Sequence, residues 1–333
     1  MNSTLPTFLR TLRMGESTSS GNLSLVPVFH EQNIEPDYIT FEEGLKSKLL
    51  EVQELEEGAS VNDILLRNKS DQLALLFEGE EFLGAQQNRI LNVSILAKAR
   101  SKQILLVSCV EAGRWHHEHK SPDDQRFKVA NRMHYARGRA MENSAVSMNL
   151  DTQKAYRGNQ SRVWHDIEEK SGRLNAQSPT AASDAMYAAT ETSIEEHVRT
   201  FTTAPSQIGS IFVINDEVAG LEIYASARTH KQMLPRLVRS YALDAIDADR
   251  QRENGEDALS KYDAVQLGRT AEAFVKRLEN SWIKQFDGLC LGQNISFKDN
   301  RITGSALVHR DRILHLCAFA SQETRDEPIE LHY

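Results

Sequence analysis

A chain of 333 residues can bury one large core or two ordinary ones, and 40% hydrophobic with 26% charged residues is an ordinary globular balance. The net charge of −8 argues against a broadly basic surface, so general nucleic-acid or anionic-membrane binding is not expected. Cys109, Cys290 and Cys317 lie far apart without CxxC spacing, which speaks against a disulfide framework or zinc knuckle and for a reducing cytoplasm, and no apolar run approaches the roughly 18–20 residues of a membrane span.

Residues 1–22 read as a flexible N-terminal segment. Arg10 and Arg13 without any acid before residue 16 suit a short surface helix or a tail, and 15–22 is rich in Gly, Ser and Thr. Structure is expected from Leu23, with Leu23–Phe29 a strand carrying the edge-type Pro27. Thr40 and Glu43 form a capping-box pattern before Phe41, Leu45 and Leu49 at helical spacing. Short alternating strands follow over 50–55, 63–67, 72–77, 81–86, 90–97 and 103–110, with turns at 68–71 and 78–80. Such a run predicts a β-rich unit over 23–115, a sandwich or barrel. Residues 116–205 are polar, without a strong strand, and read as a helical and loop insert. Within it 143–157 is expected as a loop, Val163, Trp164 and Ile167 share a helical face, and Ser193 with Glu196 suggests a capping box. The C-terminal part, 206–333, reads as α+β. It has hairpins at 210–224 and 302–319, an amphipathic helix from Leu234 to Ile246, and a second from Ala271 to Trp282. The whole is expected to be an α+β protein.

The candidate site lies at 78–118. A packed core does not require Gln86, Gln87, Asn88 and Arg89 in one run, nor Glu111, Arg114 and Trp115 at a strand exit. Alternation along 104–111 places Leu105, Val107, Cys109 and Glu111 on one side, so Glu111 projects where the apolar row ends. Arginine forks match phosphates and carboxylates, the amides of Gln86, Gln87 and Asn88 suit polar edges, and Trp115 offers a stacking face. Glu80 and Glu111 are the candidate catalytic carboxylates. A structural ion-pair network tying the β unit to its insert would use the same residues. His116, His117, Glu118 and His119 lack metal-ligand spacing, so no metal is expected. Cys109 reads as a buried small hydrophobe rather than a nucleophile. GxGxxG, Walker and GxSxG patterns are absent, and no cofactor is assigned.

The segments 25–29 (LVPVF), 79–92 (GEEFLGAQQNRILN), 107–115 (VSCVEAGRW), 162–164 (RVW) and 178–180 (SPT), with Gly209, the 211–224 hairpin and 240–242, resemble a prokaryotic and phage domain family. It is named for association with ADP-ribosylglycohydrolase and rhodanese/phosphatase-superfamily proteins, and the resemblance spans roughly residues 23–320. It implies a setting in prokaryotic conflict or in NAD and ADP-ribose metabolism, and so a small nucleotide-like ligand. Three functions follow as expectations. One is binding of a phosphorylated nucleoside-type ligand, as a sensor or accessory protein. The second is hydrolysis or glycosidic cleavage of that ligand by Glu80 or Glu111. The third is a protein-interaction module, working as a homo-oligomer or with a defence-system partner.

Overall fold

The computed structural model describes residues 4–55, 62–113, 126–252 and 262–321. The fold is α+β and is organised by a nine-stranded antiparallel sheet. Its path runs Arg13–Met14, Leu23–Phe29, Gln207–Ile214, Glu217–Tyr224, Arg312–Ala320, Ile302–His309, Gln293–Lys298 and Trp282–Asp287, with Thr18–Ser20 also paired to Leu23–Phe29. A six-stranded sheet runs Phe127–Met133, Glu80–Gly84, Arg89–Leu91, Ser101–Cys109, Asp63–Asn68 and Leu50–Gln53, and three short strands form a third sheet.

The first strand of the expected β-rich unit, Leu23–Phe29, thus pairs with Gln207–Ile214 from the C-terminal part. Its residues alternate between two apolar layers. Leu23 and Leu25 join a core with the helix Ala227–Arg250, and Val26 and Val28 join one with Leu5, Phe8 and the helix Ala264–Glu279. A continuous apolar strand buried on both faces follows from this double covering. A third core fills the space between the two smaller sheets.

Several expectations are corrected. Structure begins before Leu23: Thr4–Arg10 is a helix whose Leu5, Phe8 and Leu9 are buried, and Thr18–Ser20 is a strand, so the described part of that segment, 4–22, contains packed elements. The loop expected over 143–157 is confined to 154–157, because Ala136–Gln153 is an 18-residue helix. The insert also carries a strand, Phe127–Met133, paired with Glu80–Gly84. Ser193 lies inside the helix Glu191–Thr200, whose N-cap is Thr190. The expected strand over 90–97 is two strands, in different sheets. Trp282 opens an edge strand rather than closing a helix. The Thr40–Glu43 capping box, both C-terminal hairpins and the long helix stand as read.

The turn at 78–80 depends on Gly79. It takes φ +79°, and a Cβ there would lie 2.3 Å from Nε of Arg139. Both the left-handed backbone and the collision oppose any side chain. Gly79→Ala is expected to cost roughly 2–4 kcal/mol in a urea titration; a change under about 0.5 kcal/mol would show that the turn relaxes freely.

Candidate functional site

Strand pleating sends Glu80 and Glu81 in opposite directions. Glu80, 1% exposed, accepts from Arg236 Nη1 at 2.6 Å and from the backbone N–H of Phe77 at 2.9 Å. Glu81 faces strand Phe127–Met133 and its exit, 2.8 Å from Arg132 Nη2 and 3.0 Å from His134 Nδ1. Burial alone would raise the Glu81 pKa, but Arg132 and His134 hold it below the ordinary carboxylate range.

The other candidates gather at the end of the strand Ser101–Cys109. Gln87 Oε1 accepts from Arg89 Nη1 at 3.1 Å and from the Cys109 thiol at 3.1 Å. Arg89 is fully buried, 3.7 Å from Glu54. Asn88 donates its backbone N–H to Glu111 Oε2 at 3.2 Å, and its side chain accepts from Gly84 N–H. Glu111 Oε1 accepts from Thr180 Oγ1 at 2.9 Å. Gln86 is half-buried and donates its N–H to Glu54. The structure therefore joins Gln87, Asn88, Arg89 and Glu111 in one cluster, sets Gln86 beside it, and sends Glu80 to another. Arg114, Trp115 and the 116–119 cluster lie outside the described residues. Burial raises the Cys109 thiol pKa, in keeping with a small buried hydrophobe.

Gly113 marks how closely the 178–182 segment approaches: its N–H donates to Thr180 O, and a Cβ would lie 2.9 Å from Thr180 Cα. Glu111 and Ala182 form an isolated bridge there.

On the opposite face of the same strand, Ser108 donates to Glu142 Oε1 at 2.5 Å, and the backbone N–H of Asn159 donates to Glu142 Oε2 at 3.1 Å. Gln160 brackets the Cys109 backbone, accepting from its N–H and donating to its C=O. These bonds anchor the start of the helix Gln160–Arg173, capped by Asn159, against the strand end. Between this helix and Ala136–Gln153 runs a crevice lined by His134, Tyr135, Glu142, Asn159, Arg162 and Asp166, among others. Its free volume is about 10 Å³, enough for one water or one hydroxyl group. Burial raises the Glu142 pKa, while the bonds from Ser108 and Asn159 pull it down by less. Asp166 accepts from the Tyr135 hydroxyl at 2.7 Å. Arg162 stands exposed at the rim, and its guanidinium has no ion pair among the described residues. A buried carboxyl with a raised pKa and an exposed cation at the mouth, between walls whose accessible surface is otherwise apolar, can hold a hydroxyl below and a phosphate above.

Beneath the crevice, Arg139 spans the core. It donates to Glu78 Oε2 and Glu222 Oε1, both at 2.7 Å. Tyr241 donates to Glu222, His315 lies 3.4 Å from it, and the Cys317 thiol donates to Glu78. Tyr241 and His315 are thus core groups. Trp164 is half-buried near Cys109, whereas His165 is exposed beside Glu169.

His134, Glu142 and Asp166 were not legible as site residues. The sequence does hold one trace of them: Arg139, Glu142, Asn143, Val146 and Leu150, all buried, recur at helical spacing. An apolar-periodicity reading passes over such a face because its first three members are polar.

A model of the ARG and Rhodanese-Phosphatase-superfamily-associated Protein domain matches residues 11–319 of the chain. No curated protein and no solved structure matches it.

Proposed function

The chain belongs to the ARG and Rhodanese-Phosphatase-superfamily-associated Protein domain family, and from that premise we propose that it binds a phosphorylated nucleoside-type ligand of the ADP-ribose or NAD kind at the crevice beside the strand Ser101–Cys109. The family's association with ADP-ribosylglycohydrolase supports a link to ADP-ribose metabolism. One observation carries the site assignment. The segments 79–92, 107–113, 162–164 and 178–180 are separate in sequence, yet they meet around one strand end, through Gln87 and Cys109, Asn88 and Glu111, Thr180 and Glu111, and Trp164 and Cys109, while Ser108 of the same strand holds Glu142. In this reading Arg162 takes a phosphate at the mouth, Glu142 takes one ribose hydroxyl in the crevice, and the rest of the ligand lies over the surface outside it. Gln87, Asn88, Arg89 and Glu111 hold the strand end in place, and Gln86 sits at its edge.

Calorimetric titration with ADP-ribose, NAD and AMP tests the proposal. At least one should bind, and Arg162→Ala should weaken it about tenfold or more without lowering Tm, since the residue is exposed. No binding of any of the three, or wild-type affinity in Arg162→Ala, would move the reading to an interaction module.

The raised pKa of Glu142 favours a second reading, hydrolysis of the bound ligand with Glu142 as general base. In this second reading the single water-sized space beside Glu142 holds the attacking water in place of a ribose hydroxyl. Chromatography of incubated ligand should then show turnover that Glu142→Gln abolishes and Glu80→Gln retains. Loss in Glu111→Gln with folding intact, and retention in Glu142→Gln, would return the role to Glu111.

A further inference from the structure

His134 lines the crevice and has one ring nitrogen that the fold does not use. The residue sits just before the helix Ala136–Gln153, and its ring comes to rest over Gly138: a Cβ on that glycine would lie 2.7 Å from His134 Nε2. Glu142 stands one turn further along the same helix face. Burial raises the Glu142 pKa, and His134 is near enough to be among the groups that pull it back. Both residues border a space that holds a single water or hydroxyl group, so whatever enters it meets both.

The rest of the imidazole is spoken for. Its Nδ1 lies 3.0 Å from Glu81 Oε1. Burial works against the Glu81 charge, but Arg132 and His134 outweigh it, so an ionised carboxylate accepts the Nδ1 hydrogen. In the neutral ring this fixes the tautomer and leaves a lone pair on Nε2. That nitrogen makes no hydrogen bond among the described residues, and it is not one of the sealed, unmet atoms of the core. Opposite in character, Glu142 is favoured by burial in its carboxyl form, which has a proton to give. A hydroxyl group donates and accepts at one oxygen, and so answers both neighbours at once.

We propose that His134 sets the ligand specificity of the crevice: its Nε2 accepts the hydrogen of a sugar hydroxyl whose oxygen meets the Glu142 carboxyl, so the site takes a ribose-bearing ligand and rejects the form that lacks that hydroxyl. This rests on the reading of the crevice as the ligand site and adds the group that chooses among nucleotides. A deoxy ligand puts a carbon-bound hydrogen, or nothing, where the hydroxyl belongs, and leaves two buried polar groups without their partner.

Calorimetric titration of the full chain with ADP-ribose, NAD and AMP, each beside analogues that lack one ribose hydroxyl at a time, tests this. One deoxy analogue is expected to bind about tenfold to a hundredfold more weakly than its parent. His134→Asn keeps an amide N–H that can donate to Glu81 but has no counterpart of Nε2. It should bring the parent down to the affinity of that analogue and leave the analogue unchanged, a pattern that a merely structural residue would not give. Gly138→Ala, which puts a methyl group into the space, should erase the same preference. The wild-type series decides without either variant: analogues that all bind as tightly as their parents overturn the role of His134 and leave the crevice reading standing. A preference that persists undiminished in His134→Asn overturns it too. No binding by any of the three parents overturns the crevice reading and this proposal together.

Discussion

Arg139→Met is expected to cost about 3–5 kcal/mol, enough to leave much of the protein unfolded at physiological temperature. Arg139 is fully buried and has one guanidinium edge on Glu78 and the other on Glu222, themselves 2% and 0% exposed. Methionine fills much of the volume but leaves two carboxylates facing each other in the core without a cation. The cost comes from those stranded charges rather than from the lost attraction, because a buried ion pair is only weakly stabilising against an apolar substitute for all its members. The triple replacement Arg139→Met, Glu78→Gln, Glu222→Gln is therefore expected to recover much of the loss. Urea titrations of both variants check this. A single-variant loss below about 1 kcal/mol would mean that the triad is not the clamp between the helix Ala136–Gln153 and the large sheet.

Acid is expected to unfold the protein over a narrow range beginning near the ordinary carboxylate pKa. Burial pushes Glu222 and Glu81 upward, but Arg139 with His315, and Arg132 with His134, outweigh it and leave both below the ordinary value of 4.5. Asp247 behaves alike: burial opposes ionisation, yet Arg173 and Lys170 lower it from 3.8 to about 2. A carboxyl whose folded pKa lies below its unfolded one contributes stability that is fully present above the unfolded pKa and is lost as pH falls through the folded value. The window runs downward from 4.5 for the two glutamates and from 3.8 to about 2 for Asp247. Glu142 has the opposite sign, so its protonation offsets part of the loss. Tm should be flat from neutrality to about pH 5 and fall steeply below it, each unmatched proton contributing about 1.4 kcal/mol per pH unit. Glu222→Gln should start from lower stability and show a shallower fall. A Tm that stays level to about pH 3 would contradict the assignment.

The sequence made legible the elements whose apolar residues are contiguous or periodic. The hairpins over 207–224 and 302–320 are near-continuous apolar runs split by polar turns, and the long helix carries its stripe from Leu234 to Ala245. What it hid was the polar inside. The helix Ala136–Gln153 buries Arg139, Glu142 and Asn143, whose partners include Glu78, Ser108, Asn159, Glu222, Thr303 and Ser305. No local pattern reports partners so far along the chain, so that stretch read as loop. The N-terminal segment was hidden for a related reason, because Leu5, Phe8 and Leu9 find their apolar partners in the distant helix Ala264–Glu279 and its sheet face. The same blindness shaped the site. Gln87, Asn88, Arg89 and Glu111 do meet, through Gln87 and Cys109, Gln87 and Arg89, and Asn88 and Glu111, with Gln86 beside them. These groups are occupied with one another, and the open crevice belongs to Glu142 and Arg162 on elements that the apolar pattern under-reported.

Hydrogen exchange of the protein with and without saturating ADP-ribose tests the central claim most directly. New protection is expected over residues 134–142 and 159–166, the two walls of the crevice, and is expected to be lost in Arg162→Ala. Protection confined to other segments, or unchanged exchange along the chain, would contradict it.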